Sequence, residues 1–131
     1  MLAVIDTNIL VSALWSRNGA PAKILSMVLQ GKIIPCYDYR IICEYREVLQ
    51  RPKFKFSKSE VNALVGWIEE SGHSVIAEAL DDVFIDETDK KFYEVAKYCG
   101  AHLVTGNLKH FPTEPTIMSV TDFLERFKDI R

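Results

Sequence analysis

A chain of 131 residues with a formal net charge of −2 has the length of one domain and no overall basic field, so any hold on a polyanion must come from a local patch. Hydrophobic residues make up 48% and charged residues 26%, a globular balance that buries a core without disulfides or structural metal. Cys36, Cys43 and Cys99 are odd in number and widely spaced, which argues against a disulfide framework or a zinc site and fits small buried hydrophobes in a reducing cytosol.

The apolar N-terminus has no basic leader, and Asp6, Thr7 and Asn8 interrupt it. No apolar run reaches the length of a membrane span, so the expected setting is cytoplasmic, away from any membrane. Leu2 to Ile5 is continuously apolar, as in a strand buried on both faces. Ile9 to Ser16 reads as a short helix broken by Asn18-Gly19. Ala20 to Gln30 reads as a second, with Pro21 in its first turn and Gly31 as its stop. Ile33 to Tyr37 is the next strand. From Asp38, the residues Ile41, Ile42, Tyr45, Val48 and Leu49 form one helical stripe, ended by Pro52.

Ser57 and Glu60 form a capping box for a helix that turns Val61, Leu64, Val65 and Ile68 inward and stops at Gly72. Val75 to Ala79 reads as a strand. Thr88 to Tyr98 reads as a helix with Phe92, Val95, Ala96 and Cys99 on one side and Gly100 at its end. His102 to Thr105 and Ile117 to Val120 are further strands, and Thr121 caps a last helix through Phe127. Strands alternating with helices predict an α/β fold: a single three-layer α/β/α domain over residues 1–131, its central sheet mostly parallel and flanked by helices. Sites in such sheets form at the carboxyl ends of the strands.

Three acids sit where elements begin or end, or on a helix between them: Asp6 after the first strand, Glu44 on the third helix, Asp89 at a helix start. Each has an ordinary use. Asp6 fits a helix cap, Glu44 a surface pair with Arg40 one turn back, and Asp89, like Asp86, a partner for the helix dipole. Gathered at one sheet edge they would repel, and a hard divalent cation is what oxygen ligands hold best. That points to a Mg²⁺ or Mn²⁺ phosphodiesterase site.

The combination Val4-Ile5-Asp6-Thr7-Asn8-Ile9-Leu10, Glu44-Tyr45-Arg46-Glu47-Val48-Leu49, Asp89 followed by Phe92 and Ala96, and Leu103-Val104-Thr105-Gly106-Asn107 resembles the PIN-domain family, metal-dependent ribonucleases that include VapC-type toxins. The resemblance implies that Asp6, Glu44 and Asp89 hold Mg²⁺ or Mn²⁺, that Thr7 and Asn8 support the first acid, and that Thr105 stands beside the site. Asn107 falls where many members carry a fourth Asp, which removes one charge but keeps an oxygen. The implied activity is endonucleolytic hydrolysis of single-stranded RNA by the toxin of a toxin–antitoxin pair, with Asn107 among the catalytic residues and a small antitoxin as partner. A homodimer is a further expectation, since Trp15 and Trp67 fit either a dimer interface or the core.

For RNA binding, Arg46, Arg51, Lys53, Lys55 and Lys58 crowd around Phe54 and Phe56, a pattern that suits single strands through phosphate contacts and stacking; a solvated helix–helix connection is the plainer account. Lys109 and His110 follow Asn107 within reach of phosphate, whereas His73 and His102 have no constellation around them. A dehalogenase-like phosphatase needs a second Asp where Asn8 stands. A nuclease acting on DNA is equally compatible with the acids, because nothing here reads a 2′-hydroxyl. The main alternative is a catalytically weakened PIN-like module that binds RNA or a partner without turnover.

Overall fold

The structure is a computed structural model and describes residues 1–130. Strand β1 (Leu2–Ile5) leads through helices α1 (Thr7–Trp15) and α2 (Ala20–Leu29) to β2 (Ile34–Tyr37). Helices α3 (Tyr39–Leu49) and α4 (Lys58–Ser71) then lead to β3 (His73–Ser74). After an irregular segment come α5 (Lys90–Cys99), β4 (His102–Val104), β5 (Ile117–Met118) and α6 (Val120–Arg126). The five strands lie in the order β3-β2-β1-β4-β5, every neighbouring pair parallel. The central strand is apolar along its length because both its faces are covered: Ala3, Val4 and Ile5 are fully buried.

Helix α5 packs on β1, β2 and β4 through Phe92, Val95 and Ala96, while α1 packs on α2 and α3 on α4. The α3 stripe is as the spacing requires, with Ile41, Ile42, Tyr45 and Leu49 buried. Asp38 and Ser57 cap α3 and α4, accepting from the N–H groups of Ile41 and Glu60. Gly100 ends α5 in the left-handed region at φ 63°. At Gly72 a Cβ would lie 2.5 Å from the Pro35 carbonyl oxygen, so this glycine permits close approach to β2.

Three expectations change, and one left open is narrowed. The strand expected over Val75 to Ala79 is the two residues His73–Ser74 instead. Val75 donates one more bond to the Tyr37 carbonyl at 2.9 Å, but β2 ends there to let Asp38 cap α3, so the chain beyond finds no partner strand. The last helix is capped by Ser119 rather than Thr121, and Val120 belongs to that helix. Of the cysteines only Cys36 is buried; Cys43 is exposed and Cys99 half-buried. Neither tryptophan is core: Trp15 and Trp67 are 63% and 41% exposed. No helix among the described residues is long and apolar enough to cross a membrane.

Candidate active site

Chain order reverses between β1 and β4, with β2 and β3 on one side and β5 on the other. Segments leaving the two strands diverge and open a crevice at their carboxyl ends. Asp6 leaves β1 and Thr105 leaves β4, both buried. Thr105 Oγ1 donates to Asp6 Oδ2 at 2.7 Å and accepts the Asn107 N–H at 3.0 Å. Asp6 holds the N-cap position of α1 without a fully formed side-chain cap bond, though the Asn8 backbone amide lies close enough to lower its carboxyl. Burial pushes that carboxyl up to about 6; the Thr105 bond opposes this, and the charges of Asp89 and Glu44 add to it. The three acids therefore feel one another.

Glu44 reaches the same edge from α3. The buried Tyr45 hydroxyl donates to the Ile5 carbonyl at 2.5 Å, pinning α3 to the last residue of β1. Both Glu44 oxygens are engaged: Oε2 accepts from the Thr7 hydroxyl, and Oε1 lies 2.6 Å from Lys91 Nζ. Thr7 thus serves the second acid rather than the first. The Arg40 partner expected for Glu44 instead joins Asp38 and Glu94. Asn8 Oδ1 accepts from Gly106 N–H at 3.4 Å, joining the turns that follow β1 and β4.

Asp89 ends a 3₁₀ turn, Glu87–Asp89, that leads directly into α5. Its Oδ2 lies 3.0 Å from His110 Nδ1. Burial raises its carboxyl, His110 works against that, and the charges of Asp86 and Glu44 add to the rise. Asp86 is spent on the turn, accepting from Thr88 N–H at 2.9 Å and Thr88 Oγ1 at 2.7 Å. Asn107 is exposed on the rim and makes no side-chain bond to the three acids. With Asn8, Ser12, Thr105, Lys109 and His110 it lines a cleft of about 750 Å³.

The donor chemistry of this edge fits a hard divalent ion: three carboxylates, two of them (Asp6 and Asp89) raised by burial and neighbouring charge, with hydroxyl and amide oxygens beside them. The geometry is the paired one, each acid bonded to a protein group, and among the described residues no three His, Cys, Asp or Glu side chains close into a metal-sized group.

Of the candidate RNA-binding cations, Arg46 pairs with Glu69, and Arg51 with Glu47 at 2.9 Å. Lys53 and Lys55 are exposed, and Lys53 Nζ stands 5.2 Å from the Phe54 ring centroid. Phe54 and Phe56 stack at 5.4 Å, with Trp15 edge-on to both at 6.0 and 6.1 Å. This aromatic patch is at the far end of α1 from Asp6. Lys91, Tyr45 and the His110–Asp89 contact are what sequence reasoning did not assign. Residue type allowed them, but only tertiary packing makes the contacts: α5 brings Lys91 to Glu44, α3 brings Tyr45 to the Ile5 carbonyl, and the turn after β4 brings His110 to Asp89.

A family model described as PIN domain matches residues 3–109. An uncharacterized protein of Methanocaldococcus jannaschii is 35% identical over 107 residues, covering 79% of this chain and 69% of that protein. Among solved structures, the crystal structure of VapBC2 from Rickettsia felis bound to a DNA fragment from their promoter superposes with a TM-score of 0.59 at 17% identity. That match covers 91% of this chain and 97% of the other, a likeness of fold. The family match, spanning most of its length, places this chain in the PIN domain family.

Proposed function

We propose that this chain is a Mg²⁺- or Mn²⁺-dependent endoribonuclease that hydrolyses single-stranded RNA, acting in the cytoplasm as the toxin of a toxin–antitoxin pair. The observation that carries the reading is Asp6. It is a buried acid at the switch point of a parallel sheet, its carboxyl raised to about 6 by burial and by two neighbouring acids. A fold keeps such a costly arrangement where the charge has work to do.

A divalent ion at these carboxylates would supply an activated water at neutral pH and neutralise the charge that builds on the phosphate. Asp6, Glu44 and Asp89 are its ligands in this reading. Thr105 fixes the Asp6 carboxylate, Thr7 that of Glu44, and His110 that of Asp89. Asn107, with its amide on the cleft rim, orients water or the phosphate. Lys109 meets the backbone within the cleft, while Lys53 and Lys55 beside the Trp15–Phe54–Phe56 patch hold a distal stretch of the strand. Arg46 and Arg51, already paired with acids, contribute less. An antitoxin would inhibit by placing a cationic side chain over the same acids.

The test is cleavage of a mixed-sequence single-stranded RNA by wild type and Asp6→Asn in Mn²⁺, Mg²⁺ and EDTA. Metal-dependent cleavage by wild type, lost in Asp6→Asn and in EDTA, is the expected result. Cleavage that Asp6→Asn retains would remove the assignment.

A second reading, a binding module without turnover, is favoured by Asn107 at the position of the fourth acid. Wild type inert in every metal, with activity gained by Asn107→Asp, would select it.

A further inference from the structure

Lys91 is not a solvated surface charge. Its side chain is 12% exposed, and Nζ lies 2.6 Å from Glu44 Oε1, donates to the Thr88 carbonyl and stands 4.9 Å from the Phe92 ring centroid. It belongs to the first turn of α5, where the helix dipole disfavours a cation. The carboxylate is what holds it there. Thr88 immediately precedes Asp89, so this one ammonium ties the turn presenting the third acid to the helix presenting the second.

We propose that Lys91 is the tethered counter-cation of Glu44, a displaceable ammonium that holds the acid edge together without metal and must leave this carboxylate before Glu44 can serve as a ligand. The inference rests on the reading of these acids as metal ligands. With Thr7 on Oε2 and Lys91 on Oε1, Glu44 has no oxygen free of a protein partner, whereas Asp6 and Asp89 each have one oxygen outside the bonds described. Lys91 therefore sets a threshold for ion uptake: a divalent ion must outcompete a cation that is covalently part of the chain and so permanently at high effective concentration. Once released, its ammonium is two residues from Asp89, beside the region a phosphate would enter.

The experiment is a Mn²⁺ titration by calorimetry and thermal shift on wild type, Lys91→Met, Lys91→Arg and Lys90→Met. It is joined to acylation of wild-type lysines with an N-hydroxysuccinimide ester, mapped by mass spectrometry with and without Mn²⁺. Removing a competing charge-assisted pair should tighten Mn²⁺ binding by about tenfold in Lys91→Met. Lys91→Arg should stay near wild type. Lys90→Met, which removes the same charge one residue away, should gain much less. Lys91 should be protected from acylation in the metal-free protein and labelled faster in Mn²⁺, with Lys90 unchanged. A gain in Lys91→Met no larger than in Lys90→Met, or Lys91 labelling indifferent to bound Mn²⁺, would overturn the inference and leave the metal reading standing. Folded wild type and Lys91→Met that both ignore Mn²⁺ would remove the metal reading, and this inference with it. The labelling experiment needs only wild type, so it decides the matter even if Lys91→Met does not fold.

Discussion

Arg40 reaches two acids at once: its Nη2 lies 2.7 Å from Asp38 and its Nη1 2.8 Å from Glu94, whose other oxygen accepts the Leu80 N–H at 2.7 Å. At the neighbouring strand end, Asp6, Glu44 and Asp89 share a single lysine, and it touches only Glu44. Burial alone would raise the Glu94 carboxyl, but the Arg40 guanidinium and the Leu80 amide outweigh it and hold that acid below its ordinary value. Burial raises Asp6 to about 6, and the neighbouring acids push the same way. Both centres bury carboxylates near the carboxyl edge of one sheet. In the first, one guanidinium bonds both of its acids and ties the segment after β3 to α5; in the second, Lys91 reaches Glu44 and His110 reaches Asp89, and among the described residues no cation reaches Asp6. Buried acids alone therefore do not distinguish the two centres; what does is whether a cation reaches each of them, and the proposed site is the one where Asp6 is left without one.

The sharpest way to break this contrast is to remove charge from each centre and compare signs. Arg40→Met leaves Glu94 buried without its cation and should destabilise the protein by about 3 kcal/mol in urea unfolding, the lower end for a broken buried pair because Arg40 is itself half-exposed. Asp6→Asn should do the opposite. A carboxyl moved from 3.8 to about 6 on folding costs on the order of 3 kcal/mol when ionised, so metal-free Asp6→Asn should gain up to that amount at pH 7. A loss of stability in Asp6→Asn would mean the acids are already balanced and would erase the distinction.

The pH dependence sharpens the same point. The Asp6 carboxyl binds its proton more tightly folded than unfolded, so its contribution is fully present below 3.8 and is lost as pH rises through about 6. Subtracting the metal-free Asp6→Asn stability curve from wild type should give a difference that falls across that window and is flat above it. In the proposed reaction Thr105→Val, which leaves Asp6 without its hydroxyl donor, should lower cleavage about 10- to 100-fold with little change in RNA affinity. The smallest effect belongs to the exposed helix pair of Arg51 and Glu47: Arg51→Ala should cost no more than about 0.5 kcal/mol, so any fall in RNA binding there reports a direct contact.

Much of this arrangement is legible in the sequence because local rules dictate it. The apolar Leu2–Ile5 run gives the central strand, and the acid that ends it stands at the sheet edge. Asp38 and Ser57 cap where their spacing requires. What is not legible is which group meets which across elements. A helical stripe says that Tyr45 faces inward but not that its hydroxyl finds the Ile5 carbonyl. Alternation from Val75 onward resembles a strand, but a strand needs a partner, and β2 ends at Tyr37. Thr7 lies beside Asp6 in the chain and bonds Glu44, because entry into α1 turns it toward α3. Glu44 had an obvious helical neighbour in Arg40, and the stronger claim of Asp38 and Glu94 took that arginine away.

The bond between Thr105 and Asp6 joins residues 99 positions apart. A ribosome adding roughly 5 to 20 residues per second needs about 5 to 20 seconds to bridge that gap. Through that interval Asp6 has neither its hydroxyl donor nor the β4 strand that closes the crevice. The emerging chain thus carries its first acid well before the strand that completes the edge around it, and Asp6 must sit at the start of α1 without the bond that will orient it.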